Sequence, residues 1–241
     1  MKRIHRVPLA LDVRLLLANE GRASANAIEA RRLWRNFRAA SRSEPVLNAL
    51  ELMAGSRKRC FYCRDSRAGD VEHFRPINQY PTHTFDWRNL FLVCAECNRV
   101  KLAQFPLAPD SQPLLIDVTV DDPWRHLSLE PDTGYLAPRY ASDGTADPRG
   151  ETMLSVLSPL NDEAVVNGRR RAARALRTAM LETRLADPKS WARLVEAARC
   201  DDYGLAAWFA SADGANDRGV THLRAQGAYL WRRFAALAWT T

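Results

Sequence analysis

The sequence lacks any long hydrophobic run. No stretch approaches the roughly 18 apolar residues of a membrane-spanning helix, so the sequence predicts no transmembrane segment. The apolar stretch from Leu9 to Leu17 is interrupted by Asp12 and Arg14, which makes it a poor signal peptide. Internal repeats and low-complexity tracts are also missing. We therefore expect a cytoplasmic protein with no membrane partner.

Cysteine is scarce, with five residues in a chain of 241. Disulfides are rare in a reducing compartment, so these thiols need another explanation. Four of them fall into two Cys-x-x-Cys pairs, and Cys200 is left over. We expect Cys200 to be an ordinary buried small residue.

Acidic residues are outnumbered, with 28 Asp and Glu against 35 Lys and Arg, and the formal net charge is +7. This balance favours an anionic partner, with nucleic acid first, and a solvated basic surface is the alternative. The imbalance is locally strongest after Glu29, because no acid occurs before Glu44. The same stretch carries Arg31, Arg32, Arg35, Arg38 and Arg42. It is either a phosphate-facing surface or a solvated helix face.

The apolar periodicity predicts an α+β fold that is mostly helical. Residues 1–20 have no clear assignment, and Pro8 breaks any early helix. Helices are expected at 24–41, capped by Ser24, and at 44–55, capped by Ser43. Short strands at 70–75 and 90–93 then lead into a helix that opens at Cys94 or Ala95.

The second half begins with an apolar strand at 113–117 and a hairpin over 126–136 that turns at 131–134. The remainder is predicted to be helical, at 151–157, 162–186, 189–200, 202–211 and 219–238. The chain thus divides into an N-terminal helical region (1–56), a core that contains the cysteine pairs (57–110), short strands and loops packed on that core (111–150), and a C-terminal helical region (151–241).

Two of the predicted C-terminal helices have unusual faces. One is basic, with Arg169, Arg170, Arg171, Arg174 and Arg177, and it suits either nucleic acid, a partner protein or plain solvation. The last is rich in large apolar side chains, which form either core or a docking surface: Leu223, Tyr229, Leu230, Trp231, Phe234, Leu237 and Trp239.

The two Cys-x-x-Cys pairs predict a metal site. Each pair puts two thiolates within reach of one ion, and together they supply a closed tetrahedral shell for zinc, formed by Cys60, Cys63, Cys94 and Cys97. The 30 residues between the pairs exceed the roughly 15–20 of common zinc ribbons. Four unrelated thiols or a redox pair are the alternatives. Because all four ligands are protein groups, we expect the zinc to be structural.

The side chains between the pairs suit hydrolytic chemistry. His73 can act as a general base on water, and Glu72 can bind a hard divalent cation. Adjacent residues on a strand point to opposite faces, so the two need not do the same job. Asn98 can supply a second oxygen ligand, and Asn89 can hydrogen-bond the backbone or orient His73. Structural or surface roles are the alternative for each.

Three basic residues lie within the same stretch, namely Arg75, Arg99 and Lys101. Each can contact a backbone phosphate, since Arg and Lys supply most such contacts. The alternative is a solvated side chain or an ion pair with Glu96 or Asp86.

Taken in order, residues 60–101 resemble the zinc-bearing form of the HNH endonuclease motif, the ββα-metal fold. That family carries a cysteine pair, an acidic residue with His and Pro, an Asn, and a second cysteine pair with Asn or His and Lys. The resemblance implies that His73 is the general base, that Glu72 and Asn98 bind a catalytic Mg²⁺ or Mn²⁺ ion, and that Asn89 is the central Asn. Glu72 stands where the commonest form has Asp.

A longer resemblance covers most of residues 44–180. It links this chain to the nuclease subunit of Septu-type anti-phage systems, which also occurs beside some retrons. The similar segments are Val71–Pro76, Trp87–Leu90, Cys97–Arg99, Phe105–Leu107 and Pro113–Asp117. This resemblance implies an effector nuclease with a companion ATPase of the ABC/SMC-like kind.

The sequence therefore favours a metal-dependent endonuclease that hydrolyses phosphodiester bonds in nucleic acid; the HNH resemblance favours DNA as the substrate and leaves RNA possible. The alternative is a non-catalytic, zinc-stapled module that binds nucleic acid or adapts another protein. The cysteines and basic helices fit both functions equally well. Glu72, His73, Asn89 and Asn98 distinguish them, because a binding module does not need these residues.

Overall fold

The computed structural model describes residues 1–238 of the chain and has a helix-rich mixed architecture, which confirms the coarse fold prediction. Its helices are α1 (Leu11–Arg22), α2 (Ala27–Ala39), α3 (Glu44–Ala54), α4 (Ala95–Lys101), α5 (Pro148–Val156), α6 (Glu163–Glu182), α7 (Pro188–Arg199), α8 (Leu205–Ala210), α9 (Arg218–Ala225) and α10 (Ala228–Ala238). Its strands are β1 (Asp70–His73), β2 (Leu90–Val93), β3 (Leu127–Leu129) and β4 (Leu136–Pro138).

The N-terminal helices begin at other residues than the sequence suggests. Helix α1 starts after Pro8 and fills part of the segment that had no assignment. The side chain of Asn26, not Ser24, caps α2 by accepting hydrogen bonds from the backbone N–H groups of Ile28 and Glu29 at 3.1 and 3.0 Å. Ser43 stands at the start of α3, but its side chain makes no capping hydrogen bond there, and its hydroxyl donates to the carbonyl of Ala40.

A strand–strand–helix unit forms in the order that the sequence predicts. Strands β1 and β2 pair antiparallel, with Glu72 opposite Phe91 and His73 opposite Leu90. Helix α4 begins two residues after β2 and packs against β1. Both strands and the helix are short, so few backbone hydrogen bonds fix their arrangement, and side-chain contacts between them matter more.

The segment 113–117 does not form the predicted strand. Pro113 makes a single bridge to Leu107, while Leu115 and Ile116 enter the core without a strand partner. Proline lacks an N–H to donate, and the Asp117 carboxylate accepts from the Thr119 backbone and turns the chain. The predicted hairpin does form as β3 and β4, with its turn ending at Gly134, whose φ of +88° suits glycine.

The predicted last helix is divided in two. Helix α9 ends at Ala225 and α10 begins at Ala228, with Gly227 at a φ of +131° between them. Leu223, Leu230 and Phe234 are buried, so these three of the large apolar side chains predicted on the last helix belong to the core. Tyr229 is 57% exposed, and Trp239 lies outside the described residues.

A single hydrophobic core joins the N-terminal helices, the central unit and the C-terminal helices. The Arg6 guanidinium reinforces this by donating to the carbonyls of Trp87 and Arg88 at 2.7 and 2.6 Å, just before β2.

Cys200 was expected to be buried, but it is exposed at the end of α7. Among residues 1–238, every helix is too short or too polar to cross a bilayer.

Candidate functional site

The four paired cysteines meet at one point. Their Sγ atoms all lie within 4.8 Å of one another, and the Cys63 and Cys94 sulfurs are 3.9 Å apart. All four are buried free thiols. Sulfurs arranged tetrahedrally about 2.3 Å from a zinc ion would be separated by about 3.8 Å, whereas a disulfide needs about 2.05 Å. The donor set and its spacing therefore fit a zinc ion.

Two local structures place these thiols. In the first pair, a tight turn forms where the Cys60 N–H donates to the Ser66 carbonyl at 3.0 Å, and Arg64 adopts a φ of +62°. In the second pair, Cys94 caps α4, and its sulfur accepts from the Cys97 N–H at 3.5 Å. A helix N-terminus favours the thiolate form.

The charge of a four-thiolate shell has counter-charges nearby. Burial raises the pKa of Cys60, while hydrogen bonding with the neighbouring thiols lowers the pKa of Cys63. Two buried arginines, Arg64 and Arg169, lie near Cys63; burial lowers the pKa of each, to about 10 for Arg169, and the negative charge of Cys63 opposes that lowering. A bound cation would deprotonate the thiols, and these guanidiniums would offset the excess negative charge.

Glu72 lies in a closed polar cluster. Its carboxylate accepts from the Tyr62 hydroxyl at 2.9 Å and from the Lys101 ammonium at 2.5 Å. The Lys101 Nζ also donates to the His73 carbonyl at 3.2 Å, and the Lys101 side chain is completely buried. Burial raises the pKa of Glu72, and the charge of Lys101 opposes that rise.

This cluster corrects one prediction and constrains another. Lys101 was predicted to contact phosphate, but its ammonium is buried between β1 and α4 and pairs with Glu72. The predicted cation ligand Glu72 already has a counter-charge in Lys101. A divalent ion would fit Glu72 only where Lys101 gives up its contact with the carboxylate.

His73 is on the opposite side of β1 from this cluster. Its ring packs edge-on against Trp34 of α2, with centroids 4.6 Å apart, and its Nε2 lies 2.9 Å from the Thr84 carbonyl. A carbonyl can only accept, so this hydrogen bond places the proton on Nε2 and leaves the lone pair on Nδ1. Burial lowers the pKa of His73 to about 4, which keeps the imidazole neutral at physiological pH.

Asn89 ties together the loop between the strands. It is 3% exposed, and its Oδ1 accepts from the Arg75 N–H at 2.6 Å. Its Nδ2 donates to the carbonyls of Arg75 and His83, both at 3.0 Å. His83 directly precedes Thr84, whose carbonyl holds the His73 ring. The Asn89 side chain thus hydrogen-bonds the backbone, as one of its two predicted roles requires. It contacts the His73 ring only indirectly, through the loop that carries Thr84.

Asn98 is near a carboxylate that the sequence reasoning missed. Its amide Nδ2 donates to the Asp70 carboxylate at 3.1 Å, so α4 contacts β1 through a polar pair here as well. The signal was available, since Asp70 and Glu72 are two apart on a strand and share a face. The side chains of Asn98 and Asp70 offer oxygen atoms of the type that hard cations prefer.

A cleft of about 490 Å³ brings several of these groups to one surface. It is bordered by Arg31, Val71, Glu72, His73, Pro76, Ile77, Asn78, Asn98, Leu102 and Ala103. Arg31 belongs to the basic run on α2 and was not singled out from the sequence. That run was predicted to be either a phosphate-facing surface or a solvated helix face, but the place of Arg31 at the cleft follows from the packing of α2, whose Trp34 contacts His73.

The two remaining residues predicted to contact phosphate, Arg75 and Arg99, are not among those that border this cleft. Arg75 stacks over the rings of Tyr80 and Phe105, at 5.6 and 5.5 Å from their centroids. Arg99 is exposed and forms an ion pair with Glu96 at 2.5 Å, which is the alternative to phosphate contact that the sequence offered. The structure thus groups Glu72, His73 and Asn98 around one cleft and sets Arg75 and Arg99 apart.

The fold and the site define a helix-rich protein built around a buried four-cysteine centre. No protein-family model matches the chain. A stretch of 85 residues is 33% identical to a Septu protein, PtuB, of Bacillus thuringiensis. The match covers 33% of this chain and 32% of that protein, so it extends over about a third of its relative's length.

Proposed function

We propose that the chain is a metal-dependent endonuclease of the HNH type that hydrolyses phosphodiester bonds. The observation that carries this proposal is the environment of His73. Its Nε2 is occupied by the Thr84 carbonyl, its ring is fixed by Trp34, and it borders a cleft with Asn98 and Arg31. A binding module has no use for a neutral imidazole held in one tautomer beside an open cleft.

The chain's own groups support a simple division of labour. The Nδ1 atom of His73 accepts a proton from water, the resulting hydroxide attacks phosphorus, and the bond to the leaving oxygen breaks. The leaving oxygen takes a proton from a solvent water, and the hydroxide that remains takes up the proton that His73 had accepted. Arg31 supplies a positive charge at the cleft where phosphate would enter.

A divalent ion is part of the proposal. Asn98 and Glu72 border the cleft and are the residues that would hold Mg²⁺ or Mn²⁺, with Glu72 able to do so only where Lys101 gives up its contact with the carboxylate. Such an ion supplies Lewis-acid stabilisation of the charge that develops on the phosphate. Zinc at the four cysteines has a structural role, because a closed four-thiolate shell leaves no position for substrate.

We also propose a biological setting. The partial similarity to a Septu protein supports a role in anti-phage defence within a multi-subunit complex. The companion would be an ABC/SMC-like ATPase, and DNA is the favoured substrate, with RNA second. The competing function, a non-catalytic zinc-stapled binding or adaptor module, is favoured by the same four cysteines and by the exposed arginines.

The test compares the wild type with His73→Ala, and uses His83→Ala as a matched control from the same loop. Cleavage of plasmid DNA and of RNA is followed with added Mg²⁺ or Mn²⁺ and after chelation, with and without the companion ATPase. We expect His73→Ala to lose about 10²–10⁴-fold in rate, with zinc content unchanged, and His83→Ala to retain activity. Binding without cleavage by the wild type in every condition would establish the adaptor function instead.

A further inference from the structure

A second concave site lies in the C-terminal region, formed between the β3–β4 turn, α6 and α9. It has a volume of about 580 Å³ and is lined by Pro131, Asp132, Arg170, Arg171, Arg174, Arg177 and Arg218. We call it the arginine pocket. It shares no residue with the cleft that His73 borders.

Helix geometry accounts for the alignment of these arginines. Arg170, Arg174 and Arg177 are spaced at i, i+4 and i+7 on α6, so they share one face of that helix. Arg218 is the first residue of α9, which packs along α6. The two helices thus bring guanidinium groups to both sides of one cavity.

The charges around the pocket are largely uncompensated. Arg177 is buried and pairs with both Asp132 and Asp217, so its charge is used within the fold. Within the described part of the chain, no carboxylate forms an ion pair with Arg170, Arg171, Arg174 or Arg218. Four exposed positive charges therefore surround a cavity whose lining includes a single acidic residue, Asp132.

A purely solvated helix face explains this arrangement less well. Some exposed arginines elsewhere have an acid one turn away, as in the Arg32–Glu29 and Arg99–Glu96 pairs, and others, such as Arg199 and Arg232, stand singly on their helices without an ion pair. Helix α6 has no acid between Glu163 and Glu182. Like charges gathered in a concave site repel one another and raise the local potential for anions. A bound anion would remove that repulsion.

We propose that the arginine pocket binds phosphoryl groups. Planar guanidinium groups donate paired hydrogen bonds that match the oxygens of a phosphate, and several of them can hold adjacent phosphates. The phosphates come from one of two sources, the backbone of a nucleic acid strand or the polyphosphate of a nucleotide. This binding does not depend on the proposed hydrolysis.

The experiment measures binding by the full chain without added divalent ions. Anisotropy of a labelled single-stranded oligonucleotide is recorded over a range of salt concentrations for the wild type and for Arg171→Gln/Arg174→Gln. The matched control, Arg199→Gln/Arg232→Gln, removes the same charge from exposed arginines on α7 and α10 that make no ion pair within residues 1–238. ATP and inorganic pyrophosphate are tested as competitors and for their effect on the melting temperature.

If the pocket holds a nucleic acid strand, the pocket variant should reduce the slope of log K against log salt by about 1.4, since each phosphate contact contributes about 0.7. The control should reduce it far less. If the pocket holds a nucleotide, ATP and pyrophosphate should raise the melting temperature of the wild type and control but not of the pocket variant. Equal behaviour of the two double variants in both measurements overturns the proposal. Loss of cleavage in His73→Ala with unchanged oligonucleotide binding would separate this site from the proposed active site.

Discussion

Replacing Lys101 by Met should strongly destabilise the protein. The substitution removes the ammonium that neutralises Glu72 and keeps a side chain of similar length in a site with no solvent exposure. Breaking a buried ion pair from one side typically costs about 3–5 kcal/mol, because the other charge stays buried without compensation. For a chain of this size, such a loss lowers the melting temperature by roughly 10 °C.

The loss should depend on pH in a defined direction. Burial already raises the pKa of Glu72 above its ordinary value, and Lys101 is the first group that opposes the rise. Without Lys101 the folded-state pKa rises further, so the folded state holds its proton more tightly than the unfolded state. The stability difference between variant and wild type should therefore be small at acidic pH. It should grow as the pH rises through the folded-state pKa of Glu72.

Urea unfolding near neutral pH and at about pH 5 measures both effects. The double variant Glu72→Gln/Lys101→Met should recover much of the loss, because it removes the buried charge as well. Lys58→Met is the matched control, since Lys58 pairs with Glu51 in a half-exposed position and should change stability by about 1 kcal/mol or less. A loss for Lys101→Met no larger than that of Lys58→Met, or no recovery in the double variant, would refute the buried ion pair.

Three further predictions concern the same region. Cys97→Ser should lower the zinc content from about one ion per chain toward zero and destabilise the fold, because zinc binding contributes folding energy; elemental analysis with thermal melting measures this, and retained zinc would contradict it. Asn89→Ala should lower the free energy of unfolding by about 3 kcal/mol, as it leaves the backbone N–H and carbonyl of Arg75 unpaired and removes one of the two donors to the His83 carbonyl; urea titration checks it, and a loss below about 1 kcal/mol would contradict it. Cleavage should fall only as the pH drops through about 4, where His73 gains a proton and can no longer accept one; a rate profile with its midpoint near 6.5 would contradict this.

The sequence was a good guide where the geometry is local. Each Cys-x-x-Cys pair places two thiols within one turn of chain, and the convergence of the two pairs could be predicted because zinc takes four such ligands. The strand–strand–helix order from Asp70 to Lys101 follows from short-range patterns as well. The alternation along β1 also held, since Glu72 contacts α4 while His73 contacts α2.

Prediction was weaker where distant segments decide the outcome. Glu72 and Lys101 are 29 residues apart, and only the packing of α4 against β1 brings them together. From the sequence, Glu72 was interpreted as a metal ligand and Lys101 as a phosphate contact. Both interpretations assume that a charged side chain faces solvent, whereas these two side chains are buried against each other. The same limit hid the role of Arg31, whose place at the cleft depends on how α2 packs against β1.

The hydrogen bonds of Glu72 connect the cysteine centre to the candidate active site. One partner of Glu72, Tyr62, lies inside the first cysteine pair, and the other, Lys101, closes the helix that Cys94 and Cys97 begin. A metal that fixes both pairs therefore fixes both donors. Lys101 also donates to the His73 carbonyl, so contiguous hydrogen bonds run from Tyr62 through Glu72 and Lys101 to the strand that carries the imidazole. The residues that a bound zinc ion would position therefore include both hydrogen-bond partners of Glu72 and the donor to the His73 backbone.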